Sequence, residues 1–314
     1  MSLLRIAAAA LLLAGPAMGE PTPPPEAGRD ERAIEIARRM LDAIESGWAL
    51  ARYDEAPRVR AAVNLRGGDA SPVGLTGNLV VDRSGRRYRL DAAGDVGPLT
   101  LYVEGAEAAL HVPSLGQYAR RPAGALAPGA SLARSLTAEL AAARARLAGG
   151  YADLAYRGEE AVHGAASYRI EDAPEPGVTV SYWVDARTYL PRRVHVARPG
   201  RRDVRIDLHY GPGPRPARIE ANLEAERDLQ ATIRPGYDGS GRASRFHAVI
   251  RVAGGGEFTL DLNLDWAPGV GPAHFRFTPP PGAQQVPFGQ LASGVFFAAA
   301  GRLGTLLPLV TGWL

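Results

Sequence analysis

Six histidines, His111, His163, His195, His209, His247 and His274, are the residues best suited to acid–base or metal chemistry, and they are scattered along the chain. No two of them stand at metal-ligand spacing, so only the fold could assemble such a site. His111, His195 and His209 each have apolar neighbours within alternating stretches, which directs them to the polar side of their strands. Asp203 and Asp207 recur on one strand face beside Arg205. They read as a solvated, charge-paired surface, because an acid–base pair needs carboxylates with perturbed pKa values in a cleft. There is no G-x-S-x-G, no H-E-x-x-H and no P-loop. Gly254-Gly255-Gly256 is not followed by Lys-Ser/Thr and reads as a hairpin turn. The absence of cysteine excludes thiolate nucleophiles, thiolate metal sites, disulfides and lipidation through an N-terminal Cys. The expectation is a non-enzyme, with no catalytic residue, metal or cofactor.

All 36 basic residues other than His are arginine, yet the net charge is only +3 because Asp and Glu are interleaved with them. The pairs Arg86-Arg87 and Arg201-Arg202 are expected in turns, and no basic face with interleaved aromatics is visible, so nucleic acid is not an expected partner. The N-terminus has the three parts of a signal peptide. Arg5 supplies the positive region, residues 6–14 the apolar stretch, and Ala17-Met18-Gly19 the small residues before a cleavage site at Glu20. Nine apolar residues are too few to anchor in a bilayer easily, so cleavage is favoured over retention and the expected location is the periplasm.

Residues 20–30 form a proline-rich, extended leader. Ala33, Ile36, Ala37, Met40, Leu41 and Ile44 recur at three- and four-residue steps, which predicts a helix from about Glu31 to Gly47. From Arg58 the period changes to two, through Val59-Ala61-Val63-Leu65, Leu79-Val81, Leu99-Leu101-Val103 and Ala108-Leu110-Val112, with glycine-bearing turns between. Residues 129–148 interrupt with a second helix, striped by Leu132, Leu136, Leu140 and Leu147. Alternation then resumes to about residue 265 and the domain closes near Phe288. On the order of a dozen strands fit one large antiparallel sheet, apolar on one face and charged on the other. A curved sheet with helices across its mouth would enclose an apolar cavity, and a fully packed core satisfies the same pattern.

Residues 272–283, PAHFRFTPPPGA, contain an F-x-F-x-P-P-x-G segment that resembles the one closing the domain of the LolA family of periplasmic lipoprotein carriers. Gly77-Asn78-Leu79-Val80-Val81-Asp82-Arg83 followed by Tyr88, Val103-Glu104-Gly105, and the hairpin YWVDARTYLPRRV at 182–194 are similar to further family features, in the family's order. With the leading helix, the matches span about 31–287. The resemblance implies a mainly β fold, a half-barrel of antiparallel strands closed by a few helices, with an apolar interior for the acyl chain of a lipid or lipoprotein. Relatives on this fold bind other lipids or sense envelope stress, so the alternative is a regulatory or scaffolding module that binds a protein partner. Arg83 matches the arginine of the family's lid-holding turn and is the gating candidate, although Asp82 and Ser84 replace that turn's flanking residues. The expected lining is the apolar register of the central strands: Val63, Leu79, Val81, Leu101, Leu110, Val180, Tyr182 and Val196. Two parts exceed a minimal carrier. Residues of about 205–265 are expected to add strands. The apolar tail 288–314, with Arg302 at its middle and Trp313 near its end, would lie at the membrane surface or fold back over the cavity rather than span.

Overall fold

Alternation of apolar and polar residues yields strands here wherever it runs for six residues or more, and the strands join edge to edge into one sheet. The computed structural model describes residues 30–291 except 49, 51–52, 54, 57, 68–73, 83–86, 95–96, 124–135, 150–153, 200, 224–228, 254–255 and 267. The expected signal peptide, most of the expected leader, Arg83, the start of the expected second helix and tail residues 292–314 therefore lie outside the described residues. A first meander holds β1 (Arg58–Gly67), β2 (Gly74–Asp82), β3 (Arg87–Gly94), β4 (Gly97–Glu104), β5 (Glu107–Val112) and β6 (Gln117–Pro122). A second holds β7 (Leu154–Val162), β8 (Ala165–Glu175), β9 (Val178–Asp185), β10 (Pro191–Arg198), β11 (Arg201–Tyr210), β12 (Pro216–Leu223), β13 (Leu229–Tyr237), β14 (Ala243–Val252) and β15 (Gly256–Asp265). Two α-helices among the described residues are α1 (Glu31–Gly47) and α2 (Leu136–Gly149).

The order across the sheet is β16-β6-β5-β4-β3-β2-β1-β15-β14-β13-β12-β11-β10-β9-β8-β7, where β16 is Gln284–Gln285. The fold class is thus a large, unclosed, curved antiparallel sheet with few helices. Sixteen strands replace the expected dozen, and β16 pairs parallel to β6. The seam between the meanders is β1 on β15, with Val63 opposite Leu262 and Leu65 opposite Leu260. Residues of about 205–265, expected to add strands, belong to β11 to β15, in the middle of the sheet rather than at its edge. Arg87 opens β3 and Arg201-Arg202 open β11, so these three stand in strands rather than in the expected turns, and Arg86 lies outside the described residues. Close approach of β2 to β3 needs Gly77, because a Cβ there would lie 2.5 Å from the Asp91 carbonyl oxygen.

Both edges are occupied. At one, Gln284 N–H donates to Gly116 O at 2.9 Å and Val286 N–H to Tyr118 O at 2.9 Å. At the other, the N-cap of α1 serves two donors: Asp30 accepts from Ala33 N–H at 3.0 Å and from the β7 edge group Tyr156 N–H at 2.7 Å. These backbone bonds, Tyr156 first, hold the Asp30 carboxyl below its ordinary range.

The charged outer face is covered in two places. Residues 270–277 cross β1 to β6 as a strap. Arg58 of β1 donates to Val270 O at 2.7 Å, the Arg87 guanidinium of β3 lies 5.1 Å from the Phe275 ring, and Phe277 packs against Tyr102, His111 and Tyr118. Phe275 is fully buried, as is Asp82 of the same face, which accepts from Arg87 Nη2 at 2.9 Å. The second covered place is Asp207, expected to be solvated and found without solvent exposure. Arg193 Nε reaches it at 2.6 Å, Arg205 Nε at 2.7 Å, and His163 Nε2 from the β7–β8 turn at 3.1 Å. The turn bends over β11 because His163 adopts a positive φ of 51°. Burial pushes the Asp207 carboxyl up, the arginine hydrogen bonds pull it down, and the balance lies below the free value.

Gly77→Ala is expected to lower stability by about 1–3 kcal/mol through forced separation of β2 and β3, read from urea midpoints. A carboxyl whose pKa falls on folding stabilises the protein above its unfolded value and loses that contribution as pH drops through the folded value. For Asp207 and Asp185, both lowered, the melting temperature should therefore fall as pH is taken from about 4 downward. Asp207→Asn should flatten that fall and cost about 2 kcal/mol at neutral pH, less than for a fully buried pair because both arginines reach solvent. An unchanged acid profile would remove Asp207 from this role.

Candidate ligand-binding face

The inner face is built by cross-strand apolar pairs that continue from strand to strand. Val59 faces Val81, Val81 faces Tyr88, Tyr88 faces Val103 and Val103 faces Ala108. In the other direction Leu262 faces Phe246, Ile250 faces Ala231, Ala221 faces Ile206 and Ile206 faces Val194. Each opposed pair presents its side chains to one side of the pleat, so the face is apolar across these strands, and Asp172 of β8, opposite Val180, is a buried carboxyl beyond them.

All eight residues expected to line the interior stand on this face within one apolar cluster. Val63, Leu79, Val81, Leu101 and Leu110 belong to the first meander, and Val180, Tyr182 and Val196 to β9 and β10. Five strands separate the two groups, and their inward residues, among them Ile219, Ile233 and Leu260, are equally part of it. Those were not singled out from sequence, although β13 to β15 carry the same alternation. His195 and His209 are on the outer face as expected, on Asp203 Oδ2 at 3.0 Å and Glu220 Oε2 at 3.1 Å. His247 pairs likewise with Asp261 at 2.8 Å. Among the described residues no group of His, Asp or Glu is arranged to hold a metal ion.

α1 lies across the inner face because its buried side, Ile36, Met40, Leu41 and Ile44, matches the apolar sheet. Trp48, Leu50 and Tyr53 extend this cover beyond the helix. α2 packs beside α1 and contributes Leu140 to the cluster. It is tethered by Arg144, which reaches Asp42 and Glu45 of α1 at 2.6 Å each, and by Arg146, 3.7 Å from Asp172 of β8. Between α1, α2 and β7 to β9 is a gap of about 40 Å³, lined by Met40, Leu147, Leu154, Ile170 and Tyr182 among others. That volume holds about one water and no acyl chain. Burial, followed by the Asp172 charge, drives the Tyr182 hydroxyl far above its ordinary pKa, and burial pushes Tyr88 up to about 12. Both hydroxyls stay neutral, and Asp172 of β8, 3.7 Å from Arg146, places a carboxyl among these apolar residues.

The described residues contain no helix long and apolar enough to cross a membrane. No protein-family model matches the chain, and no curated protein is similar to it in sequence. Solved structures similar to it include a putative outer membrane lipoprotein-sorting protein domain from Vibrio parahaemolyticus, 14% identical over 79% of this chain and 97% of that one, with a TM-score of 0.32. A LolA superfamily protein from Nitrosomonas europaea is 13% identical over 78% and 97%, with a TM-score of 0.32. MucB of Pseudomonas aeruginosa, in its complex with MucA, is 12% identical over 74% and 94%, with a TM-score of 0.20. The superpositions are loose, and the order of the strands defines the fold. The similarity to LolA superfamily proteins read from the motifs is met again among solved structures.

Proposed function

We propose that the chain is a periplasmic holder and carrier of an acyl chain, of a lipid or a lipoprotein, laid against the inner face with α2 as the movable cover. The observation that supports this most directly is the contrast between the face and its cover. Apolar pairs run across the sheet from β6 to β10, and Asp172 of β8 is a buried carboxyl beyond them, whereas α2 is held to α1 by exposed ion pairs, with Asp42 and Glu45 side chains 59% and 42% exposed. Such pairs are worth about 1 kcal/mol or less each. Each acyl CH₂ moved out of water returns about 0.8 kcal/mol, so some fifteen of them offer roughly 12 kcal/mol before the costs of association. Ligand burial therefore outweighs the loss of the tethers by a wide margin. The water-sized gap under α2 marks where separation begins, and Val63, Leu79, Val81, Leu101, Leu110, Val180, Tyr182 and Val196 are the proposed contacts. The tail 288–314 is proposed to meet the membrane surface or the same apolar face.

The mature chain, purified from a bacterial periplasm without detergent, should carry stoichiometric lipid or acylated cargo in native mass spectrometry. A clean apo mass, with no uptake from vesicles or lipopeptide, would sink the carrier reading and favour a module that binds a protein partner through the same fold. Arg144→Ala should speed loading of a fluorescent fatty acid, because it frees α2 from both α1 carboxylates; unchanged stopped-flow rates would rule out α2 as the cover.

A further inference from the structure

A cleft of about 500 Å³ opens where the last turn of α1 faces the rim of the sheet. Its walls are that turn, the β9–β10 turn and the stiff Gly211-Pro212-Gly213-Pro214 loop. Ala43, Leu190 and Tyr210 on its floor also belong to the inner-face cluster or pack against it. The cleft is therefore a place where the apolar face meets solvent.

Two guanidinium groups line it, Arg187 and Arg192, and no carboxylate does. They are not equivalent. Arg192 is bound to Asp185 Oδ2 at 2.6 Å. Arg187 is exposed, and its side chain makes no ion pair or hydrogen bond among the described residues. Its backbone is nevertheless fixed, since Arg187 N–H and Thr188 N–H donate to Asp185 Oδ1 at 3.0 and 2.7 Å. The same turn holds Tyr189 at a positive φ of 58°, and Arg39 of α1 donates to the Tyr189 hydroxyl at 3.0 Å. A strained turn, anchored at both ends, thus holds an uncommitted cation at the mouth of an apolar surface.

We infer that this cleft takes the anionic head, phosphate or carboxylate, of an acylated ligand whose chain lies on the inner face, with Arg187 as its charged contact. The inference rests on the acyl-ligand reading above and adds a head-group selectivity to it. A purely structural role for Arg187 is the compensation of the negative end of α1, which has no basic residue in its last turn.

The test uses the delipidated mature chain and three probes with the same sixteen-carbon tail: lysophosphatidylglycerol, palmitate and uncharged monopalmitoylglycerol. Titration calorimetry should show the two anions bound about tenfold more tightly than the neutral probe, the effect of one charge-assisted hydrogen bond. Arg187→Gln should bring all three within about twofold and leave the neutral probe and the melting temperature unchanged. The better of the two anions identifies the head as phosphate or carboxylate. Equal binding of all three by the parent chain would overturn the inference and leave the acyl reading intact. So would a variant that keeps the preference, or one that only melts earlier. If none of the probes binds, the acyl reading fails and the head-group site falls with it.

Discussion

A sheet sixteen strands wide with one largely apolar face cannot be left open to water, and the other described elements answer that constraint. No second sheet is present among the described residues to pack against it, so the cover comes from α1, the segment that follows it, and α2. α1 matches the face along its whole buried side. α2 adds Leu140 to the buried cluster, and it is secured by Arg144 to α1 and by Arg146 to Asp172. The division between a fixed and a tethered cover gives the fold its potential for binding.

The polar face is the less expected half of the structure. Its charges are organised in rows across neighbouring strands, such as Arg58, Asp82, Arg87 and Glu104 from β1 to β4. Where such a row is dense the chain returns to cover it, with Phe275 over Arg87 and the His163 turn over Asp207. The F-x-F segment that carries the family resemblance does its packing there, on the side away from the apolar interior. After passing the edge at β16, the same segment turns inward and buries Leu291 in the inner cluster. It forms a belt around the first meander.

Period-two alternation made most of the strands legible, though not β7, and helical spacing stopped by Gly47 placed α1 over about Glu31 to Gly47 as found. The inward register could be read for the same reason, since a pleat leaves only two choices and the apolar one must face the cover. Pairing order could not be read. Nothing local tells β1 that its second neighbour is β15, because the partners share no turn. The burial of Asp207 was hidden in the same way: its neighbours Arg205 and Arg193 are recognisable cation partners, but His163 arrives from another hairpin. The cleft at Arg187 was missed because the motif containing it resembles an ordinary hairpin, and only the fold brings α1 and the 211–214 loop to face it.

The seam between β1 and β15 has a consequence for how the molecule is made. Val63 and Leu262 are neighbours across the sheet but lie roughly 200 residues apart in sequence. Each meander can zip up from its own hairpins within microseconds to milliseconds, whereas the seam must wait for both and must close a very long loop. Until then two strands in the middle of the finished sheet are bare edges with apolar faces, the kind of surface that recruits other chains. The hazardous interval in the life of this protein is thus its synthesis: a chain made from its N-terminus presents β1 first and the partner that shields it nearly last.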